Sequence, residues 1–293
     1  YDANGNMVKD LDRNIVTVRY NILNLPDTVQ FKNGNQIKNT YDASGQKLST
    51  RYKTLLYQLA QPLNEGELLS NDIDVDNNED VTVEGYDYVG NVEYNSLTFY
   101  NFSTASATES FQSNKLYNSE GYARDIFSSV TNPEYYYFCR DHLGNIREVW
   151  RGNRRTVVQR TQYYPSGLPW AKNAGDDTEL PANANNRKYN GKEFVEMHGL
   201  DEYDSEARWY YPAIMRTTTI DPLAEKYYSW SPYAYCANNP ILMIDPTGKD
   251  WIIVSHDGKE LRRVEEKGAD TYYKVNETAF NAASSYYSKE LGA

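Results

Sequence analysis

At 293 residues the chain is long enough to bury a sizeable core and exceeds a single typical domain. Its formal net charge of −11, from 41 acidic against 30 basic residues, disfavours nucleic-acid binding, because phosphate contacts need clustered Lys and Arg. Charged and polar interruptions leave no stretch apolar enough to cross a bilayer as a helix. The two cysteines, Cys139 and Cys236, can form neither a disulfide-dense scaffold nor a metal set and read as buried small hydrophobes.

Tyrosine is the compositional outlier, 28 residues against 8 Phe and 5 Trp, which points to half-buried β-sheet surfaces where the ring packs and the hydroxyl keeps a partner. A carbohydrate-binding surface is the sharper alternative use of so many rings. The chain opens on Tyr1 within a repeat, so it is expected to be part of a longer protein, and the lack of a leader is uninformative.

The first organising feature is repetition. Tyr1-Asp2-Ala3-Asn4-Gly5-Asn6 returns as Tyr41-Asp42-Ala43-Ser44-Gly45-Gln46, and a degenerate unit begins midway at Tyr20. Weaker echoes stand at Tyr86–Asn91 and Arg140–Asn145. In each unit Asp or Asn is suited to bond the backbone of a turn, Gly to take a positive φ, and alternating runs such as Ile15 to Tyr20 to form strands. One two-strand unit is marginal alone, so the units must stack into a continuous sheet.

Further along, residues 70 to 80 form an acidic run. Asp72, Asp74 and Asp76 mimic the start of a calcium loop, but Asn77 replaces the turn Gly and Val83 the bidentate Glu, so a solvated loop is the better reading. The span Ala105 to Ile126 lacks a clean period and is expected to include a short helix. Tyr135 to Phe138, the Asp141–Asn145 turn and Ile146 to Trp150 read as strand, turn, strand. The basic cluster from Arg151 to Arg160 reads as a solvated strand face, and residues 171 to 186 as an exposed loop. After a boundary near residue 250, Trp251 to Val254 and Leu261 to Val264 form an expected hairpin, and Thr278 to Leu291 an expected helix.

The most informative segment runs from Tyr203 to Trp251. It carries Ala207-Arg208-Trp209-Tyr210, the Asp-Pro step Asp221-Pro222 opening DPLAEKY, a Tyr-rich block closed by Asn238-Asn239-Pro240, and a second step Asp245-Pro246-Thr247-Gly248. With Tyr163–Leu168 and Arg187–Glu193, this order resembles the RHS repeat-associated core domain of RHS/YD-repeat proteins, most closely the Bacteroidetes-type polymorphic toxins. The resemblance implies a mainly β fold: a partial shell of spiralling β-hairpin YD repeats over residues 1–130, a core plug over 131–250, and a small α+β tail over 251–293 serving as a variable effector or its remnant.

The same resemblance implies an intramolecular aspartyl protease that cuts a few residues past the final DP-x-G. Asp221 and Asp245, 24 residues apart, match its two aspartates, and Arg208, 13 residues before Asp221, matches its arginine. One ionised carboxylate would activate water while the other, held protonated by its neighbour, polarises the carbonyl. Arg208 would orient or tune the pair. The cut is expected between Gly248 and Trp251, with Asp250-Trp251 the first choice. Asp-Pro is also an ordinary turn initiator, which would explain both steps without catalysis. The chain departs from the family at Tyr211 for an Asp, Met215 for a turn Gly and Thr217 for an aromatic, and the lost Gly is expected to distort the segment that delivers Asp221.

His142, His198 and His256 lie far apart with no metal-ligand spacing, and no nucleophile elbow, Walker loop or dinucleotide fingerprint is present. No metal or cofactor is expected. The expected partners are the chain's own C-terminal effector segment, secretion machinery and an immunity protein, with no nucleic acid on the repeat body. The expected location is secreted or cell-surface, and the expected role is effector delivery in bacterial competition. A non-catalytic surface adhesion protein, with the core acting only as a cap, is the main alternative. A folded but functionless remnant is a weaker one.

Overall fold

The computed structural model describes residues 1–56, 59, 61–69, 81–101, 106–125, 132–153, 155–170, 185–226, 228–249 and 251–263. Eleven antiparallel strands form one sheet in chain order: β1 Ile15–Tyr20, β2 Pro26–Phe31, β3 Gln36–Tyr41, β4 Lys47–Leu55, β5 Val81–Val89, β6 Val92–Asn101, β7 Ser106–Tyr117, β8 Gly121–Arg124, β9 Glu134–Arg140, β10 Ile146–Arg151 and β11 Thr156–Arg160. Each strand pairs with its sequence neighbours and β1 and β11 are the two edges, so the described sheet is an open meander. The protein is mainly β, as the repeats imply.

The repeat turns explain the meander. In the first unit the Asp2 carboxylate accepts the backbone N–H groups of Asn4 and Asn6, while Gly5, at φ +75°, donates its N–H to the Asp2 carbonyl. Asp42 does the same for Ser44, Gln46 and Gly45, and Asp141 for Leu143, Asn145 and Gly144. The degenerate unit substitutes Asn21 for the Asp and Asn24, at φ +58°, for the Gly. A side-chain acceptor plus one left-handed residue therefore closes each turn without orphaned donors. The echo at Tyr86 works differently. Asp87 lies in β5 and pairs with Arg51, and Gly90-Asn91 forms a two-residue hairpin between Val89 and Val92.

Three expectations fail here, the last in part. Within Ala105–Ile126 the described residues form β7 and β8, not a helix. Ser, Thr and Asn make up much of β7, and their side chains compete for backbone partners in a helix interior. Pairing with β6 on one edge and β8 on the other satisfies that backbone instead. Cys139 is exposed on β9, and only Cys236 is buried. In the basic cluster, Arg151 and Arg160 pair with Glu134 and Glu148 of the neighbouring strands, and the Arg151 side chain is largely covered rather than solvated. The acidic run at Asp72, Asp74 and Asp76, residues 171–184, Asp250 and the tail helix at Thr278–Leu291 lie outside the described residues.

Two smaller sheets complete the molecule. β12 Glu193–Val195, β13 Glu202–Asp204, β14 Trp209–Tyr211 and β15 Arg216–Thr217 form a four-stranded antiparallel sheet. β16 Met243–Ile244, β17 Ile252–Val254 and β18 Glu260–Arg263 form the third sheet, which includes the expected C-terminal hairpin. Val195, Leu200 and Trp209 of the four-stranded region share one apolar cluster with Ile15, Val29, Phe31, Ile37 and Tyr52 of the large sheet. Buried ion pairs reinforce that junction. Lys47 of β4 lies 2.7 Å from both Glu193 and Asp204, and Arg13 lies 2.6 Å from Glu202.

Much of the tyrosine packs the core. Tyr189, Tyr203, Tyr210 and Tyr235 cluster with Phe194 and Cys236, and the rings of Tyr210 and Tyr235 stack 3.8 Å apart. Their hydroxyls stay bonded: Tyr189 to the Pro240 carbonyl, Tyr203 to that of Gly167, Tyr210 to that of Ser166, while Tyr235 accepts from Asn190. Each ring thus contributes apolar burial without stranding its hydroxyl.

Candidate active site

Arg208, Asp221 and Asp245 come together in the interior, at 1%, 4% and 0% exposure. Arg208 is the residue immediately before β14, so the strand aims its side chain inward. Nη2 of its guanidinium donates to Asp245 Oδ2 at 2.7 Å, and Nη1 lies 2.8 Å from Asp221 Oδ2. Its Nε donates to the backbone carbonyl of Gly248 at 2.5 Å. One planar fork therefore holds two carboxylates and a peptide oxygen, an arrangement that Lys could not reproduce.

The turn-initiator and charge-site readings of the Asp-Pro steps hold at once. Asp221 uses Oδ1 to accept the Leu223 N–H at 2.8 Å, while its carbonyl accepts from Ala224 and its own N–H reaches the Pro232 carbonyl. Asp245 uses Oδ1 to accept the Lys249 N–H at 3.0 Å. Each aspartate gives one oxygen to its own turn and the other to Arg208. The turns orient the carboxylates, and the arginine joins them.

Gly248 makes the close approach possible. It sits at φ +72°, and a Cβ there would fall 2.6 Å from the Ser205 carbonyl oxygen and 2.9 Å from the Arg208 nitrogen. No residue with a side chain fits that position without moving backbone. The Ala207 N–H bonds the Thr247 carbonyl at 3.2 Å, docking the two loops against each other.

Two carboxylates and one guanidinium leave a buried excess of one negative charge. Burial pushes the Asp245 carboxyl above its ordinary value. The Arg208 charge and hydrogen bond oppose that rise, and the Asp221 charge adds to it. The surroundings of Asp245 thus favour its holding a proton. Burial, with the Asp245 charge next, also raises the thiol of Cys236, so that cysteine is an inert packing residue rather than a nucleophile.

The segment that delivers Asp221 is not distorted by the missing Gly. Met215 itself adopts φ +57°, its N–H bonds the Pro212 carbonyl, and β14 and β15 pair in register, Tyr210 opposite Thr217 and Tyr211 opposite Arg216. The Tyr211 ring lies under the Arg13 guanidinium at 3.8 Å. Asp245 is delivered by a rarer device. Cys236, Ala237 and Asn238 form one left-handed turn, at φ 47°, 50° and 60°, just ahead of β16. Left-handed backbone costs about 1–2 kcal/mol per residue outside Gly, so surrounding packing must hold it.

Of the expected cleavage region, Gly248 and Lys249 lie at the site, Asp250 lies outside the described residues, and Trp251 is buried edge-on against Trp230 at 6.0 Å. A groove of about 670 Å³ runs past Thr247 and Lys249 toward Tyr88, Lys47 and Asp204. The sequence placed the expected cut between Gly248 and Trp251, but it gave no sign that the Gly248 carbonyl and Lys249 N–H bond Arg208 and Asp245, because backbone groups carry no residue signature. The three histidines are dispersed, with His142 in its turn, and no group of three or more His, Cys, Asp or Glu able to hold a metal occurs among the described residues.

No family model matches the chain. The fold is similar to two crystal structures of TcdB2-TccC3, one of them without its hypervariable C-terminal region. Their TM-scores are 0.55 and 0.54 at 19% and 18% identity, over 79% of this chain and 10% of theirs. This likeness is one of fold. It supports the mainly β, antiparallel architecture that the repeats imply. Salivary gland surface protein 1 of Aedes aegypti is 36% identical over 118 residues, 40% of this chain and 3% of that protein. The chain thus spans a small part of each relative. No helix among the described residues is long and apolar enough to cross a membrane.

Proposed function

We propose that the chain is the C-terminal part of an RHS-repeat toxin-delivery protein, whose β-shell encloses a variable C-terminal effector and frees it by intramolecular aspartyl autoproteolysis. The repeat turns and the shell-like fold support the delivery role, and the hypervariable C-terminal region named for TcdB2-TccC3 is a counterpart for residues past 250. A secreted or surface location accords with these neighbours and with the salivary surface protein.

The observation that carries the protease reading is the buried Arg208 fork with Asp221, Asp245 and a backbone carbonyl on its three nitrogens. A structural salt bridge needs one partner. Burying a second carboxylate on the same arginine costs several kcal/mol in desolvation and raises the proton affinity of the pair, which is the state acid–base hydrolysis requires. In this reading ionised Asp221 activates water and protonated Asp245 serves as the acid.

The full chain, expressed and analysed by denaturing mass spectrometry, should yield a large N-terminal piece and a small C-terminal one. Asp221→Asn and Asp245→Asn should each abolish the cut while remaining folded by circular dichroism. An uncut wild-type chain would exclude autoproteolysis. Because the acid must be protonated, the rate should fall as pH rises through the raised Asp245 value.

The surface-adhesion reading has one observation in its favour. Tyr135, Tyr137 and Trp150 are exposed on β9 and β10, with Tyr137 directly opposite Trp150. An intact chain that binds a glycan array, and loses binding in Tyr137→Ala, would favour that reading.

A further inference from the structure

We infer that the peptide bond the site is built to cut is Gly248–Lys249. This rests on the autoproteolysis reading and names its substrate bond, two residues upstream of the bond that the motif spacing favours.

Both ends of that one peptide unit are gripped by the candidate machinery. The carbonyl oxygen of Gly248 accepts from Arg208 Nε at 2.5 Å, and the amide nitrogen of Lys249 donates to Asp245 Oδ1 at 3.0 Å. Arg208 and Asp245 are themselves joined at 2.7 Å, so donor and acceptor are fixed relative to each other. These groups thus stand at both ends of the bond: a positive donor at the oxygen that gains charge, and a carboxyl oxygen that accepts the Lys249 N–H and so lies within reach of the nitrogen that must leave protonated. The groove past Thr247 and Lys249 brings solvent up to the residues on either side of Gly248.

The surroundings of the peptide unit fit the same assignment. Only Gly lets residue 248 press against the Ser205 and Arg208 backbone at φ +72°, which leaves its carbonyl on the Arg208 Nε. By contrast, Trp251 is committed to packing with Trp230, Ala234 and Ala237, and the next residue opens β17 in the ladder with β16. A nucleophile reaching the bond before Trp251 would have to enter beside that packed ring.

The step balances as follows. Water oxygen bonds to the Gly248 carbonyl carbon while the Asp221 carboxylate takes one water proton. The carbonyl electron pair moves onto oxygen, where Arg208 Nε–H stabilises it. On collapse the C–N bond breaks, and the proton held by Asp245 passes to the Lys249 nitrogen. The products are a carboxyl on Gly248 and a free amine on Lys249. The protons gained and lost by the two aspartates cancel.

The test is the intact mass and N-terminal sequence of the fragment released by the full-length chain. The expected fragment begins at Lys249, and its complement ends at Gly248. Arg208→Lys keeps the charge but removes the Nε donor and should slow the cut by roughly 100-fold or more. Lys249→Ala keeps the backbone amide and should be cut at the same bond. A fragment beginning at Asp250 or Trp251 overturns the bond assignment while leaving autoproteolysis intact, and a chain with no fragment overturns both. The wild-type mass alone decides the bond, so misfolding of a variant does not blunt the result.

Discussion

The eleven-stranded sheet and the region from Arg187 to Arg263 solve the same problem, satisfying polar backbone while burying rings, in opposite ways. The large sheet is a sequential meander whose turns are closed by an Asp or Asn carboxamide or carboxylate and by Gly. The C-terminal region has short strands, crossing loops and backbone strain. Of the twelve described non-Gly residues with positive φ, eight fall between Asn190 and Asn238. Strain of that density persists only where packing over-determines it, and here it surrounds the loops that deliver Asp221 and Asp245. The regular half is a ladder of hairpins, and the strained half is where Arg208, Asp221 and Asp245 are brought together.

The largest expected effect separates the two halves by the burial of their ion pairs. Arg208→Ala would strand two carboxylates in the interior, a loss of about 3–5 kcal/mol. Arg51→Ala removes a pair with Asp87 whose side chains are 37% and 44% exposed, and should cost no more than about 1 kcal/mol. Urea titration of both variants against wild type checks the contrast. Equal losses would mean that the Arg208 cluster is no more constrained than a surface pair.

Legibility in the sequence follows the same division. β1 runs from Ile15 to Tyr20, the alternating run that the residues mark out, and Asp42 to Gln46 forms the turn that an Asp followed by Gly requires. The helix expected across Ala105–Ile126 was illegible as β7, because that strand owes its existence to pairing partners on both edges rather than to its own period. In the core, spacing and resemblance brought Arg208, Asp221 and Asp245 to notice, but not the Gly248 carbonyl on which the arginine closes. Lys47, bridging Glu193 and Asp204 from 146 and 157 residues away, was equally hidden: a charge in a polar strand looks solvated until the second sheet covers it. Cys139 shows the reverse, since a residue type that is usually buried stands exposed on β9.

A pH titration sharpens the comparison at the seam. His198 lies against the Phe31 ring and accepts at Nδ1 from Asn35 of the large sheet at 3.0 Å. Burial lowers its pKa from 6.5 to about 4. Its folded value lies below its unfolded one, so the unfolded chain takes up the proton first. The stability this residue contributes is present in full above about 6.5 and is lost as pH falls toward 4. At about 1.4 kcal/mol per pKa unit the loss approaches roughly 3 kcal/mol. The buried Asp245 and Glu202 act in the opposite sense, because burial raises both and protonation relieves them as pH falls. Comparing wild type with His198→Asn, a residue suited to the positive φ, isolates the histidine. The melting temperature of wild type should drop more between pH 7.5 and 4.5 than that of the variant, and equal drops would assign the acid response to groups other than His198.

The smallest expected effect concerns a single left-handed residue in each half. Gly45 closes a repeat turn at φ +90°, whereas Met215 closes the β14–β15 turn at φ +57°. A side chain in this conformation costs about 1–2 kcal/mol, and the extra freedom that Gly gives the unfolded chain returns up to about 1 kcal/mol of that difference. Met215→Gly should therefore stabilise the protein by about 0.5–1 kcal/mol, a rise of roughly 2 °C in melting temperature for a chain of this size. Gly45→Ala should move it the other way, by about 1 kcal/mol or more. If Met215→Gly instead destabilises, the methionine side chain contributes packing that outweighs its backbone strain. The core turn would then be fixed by its neighbours rather than by its own dihedral preference, as the left-handed turn at Cys236–Asn238 must be.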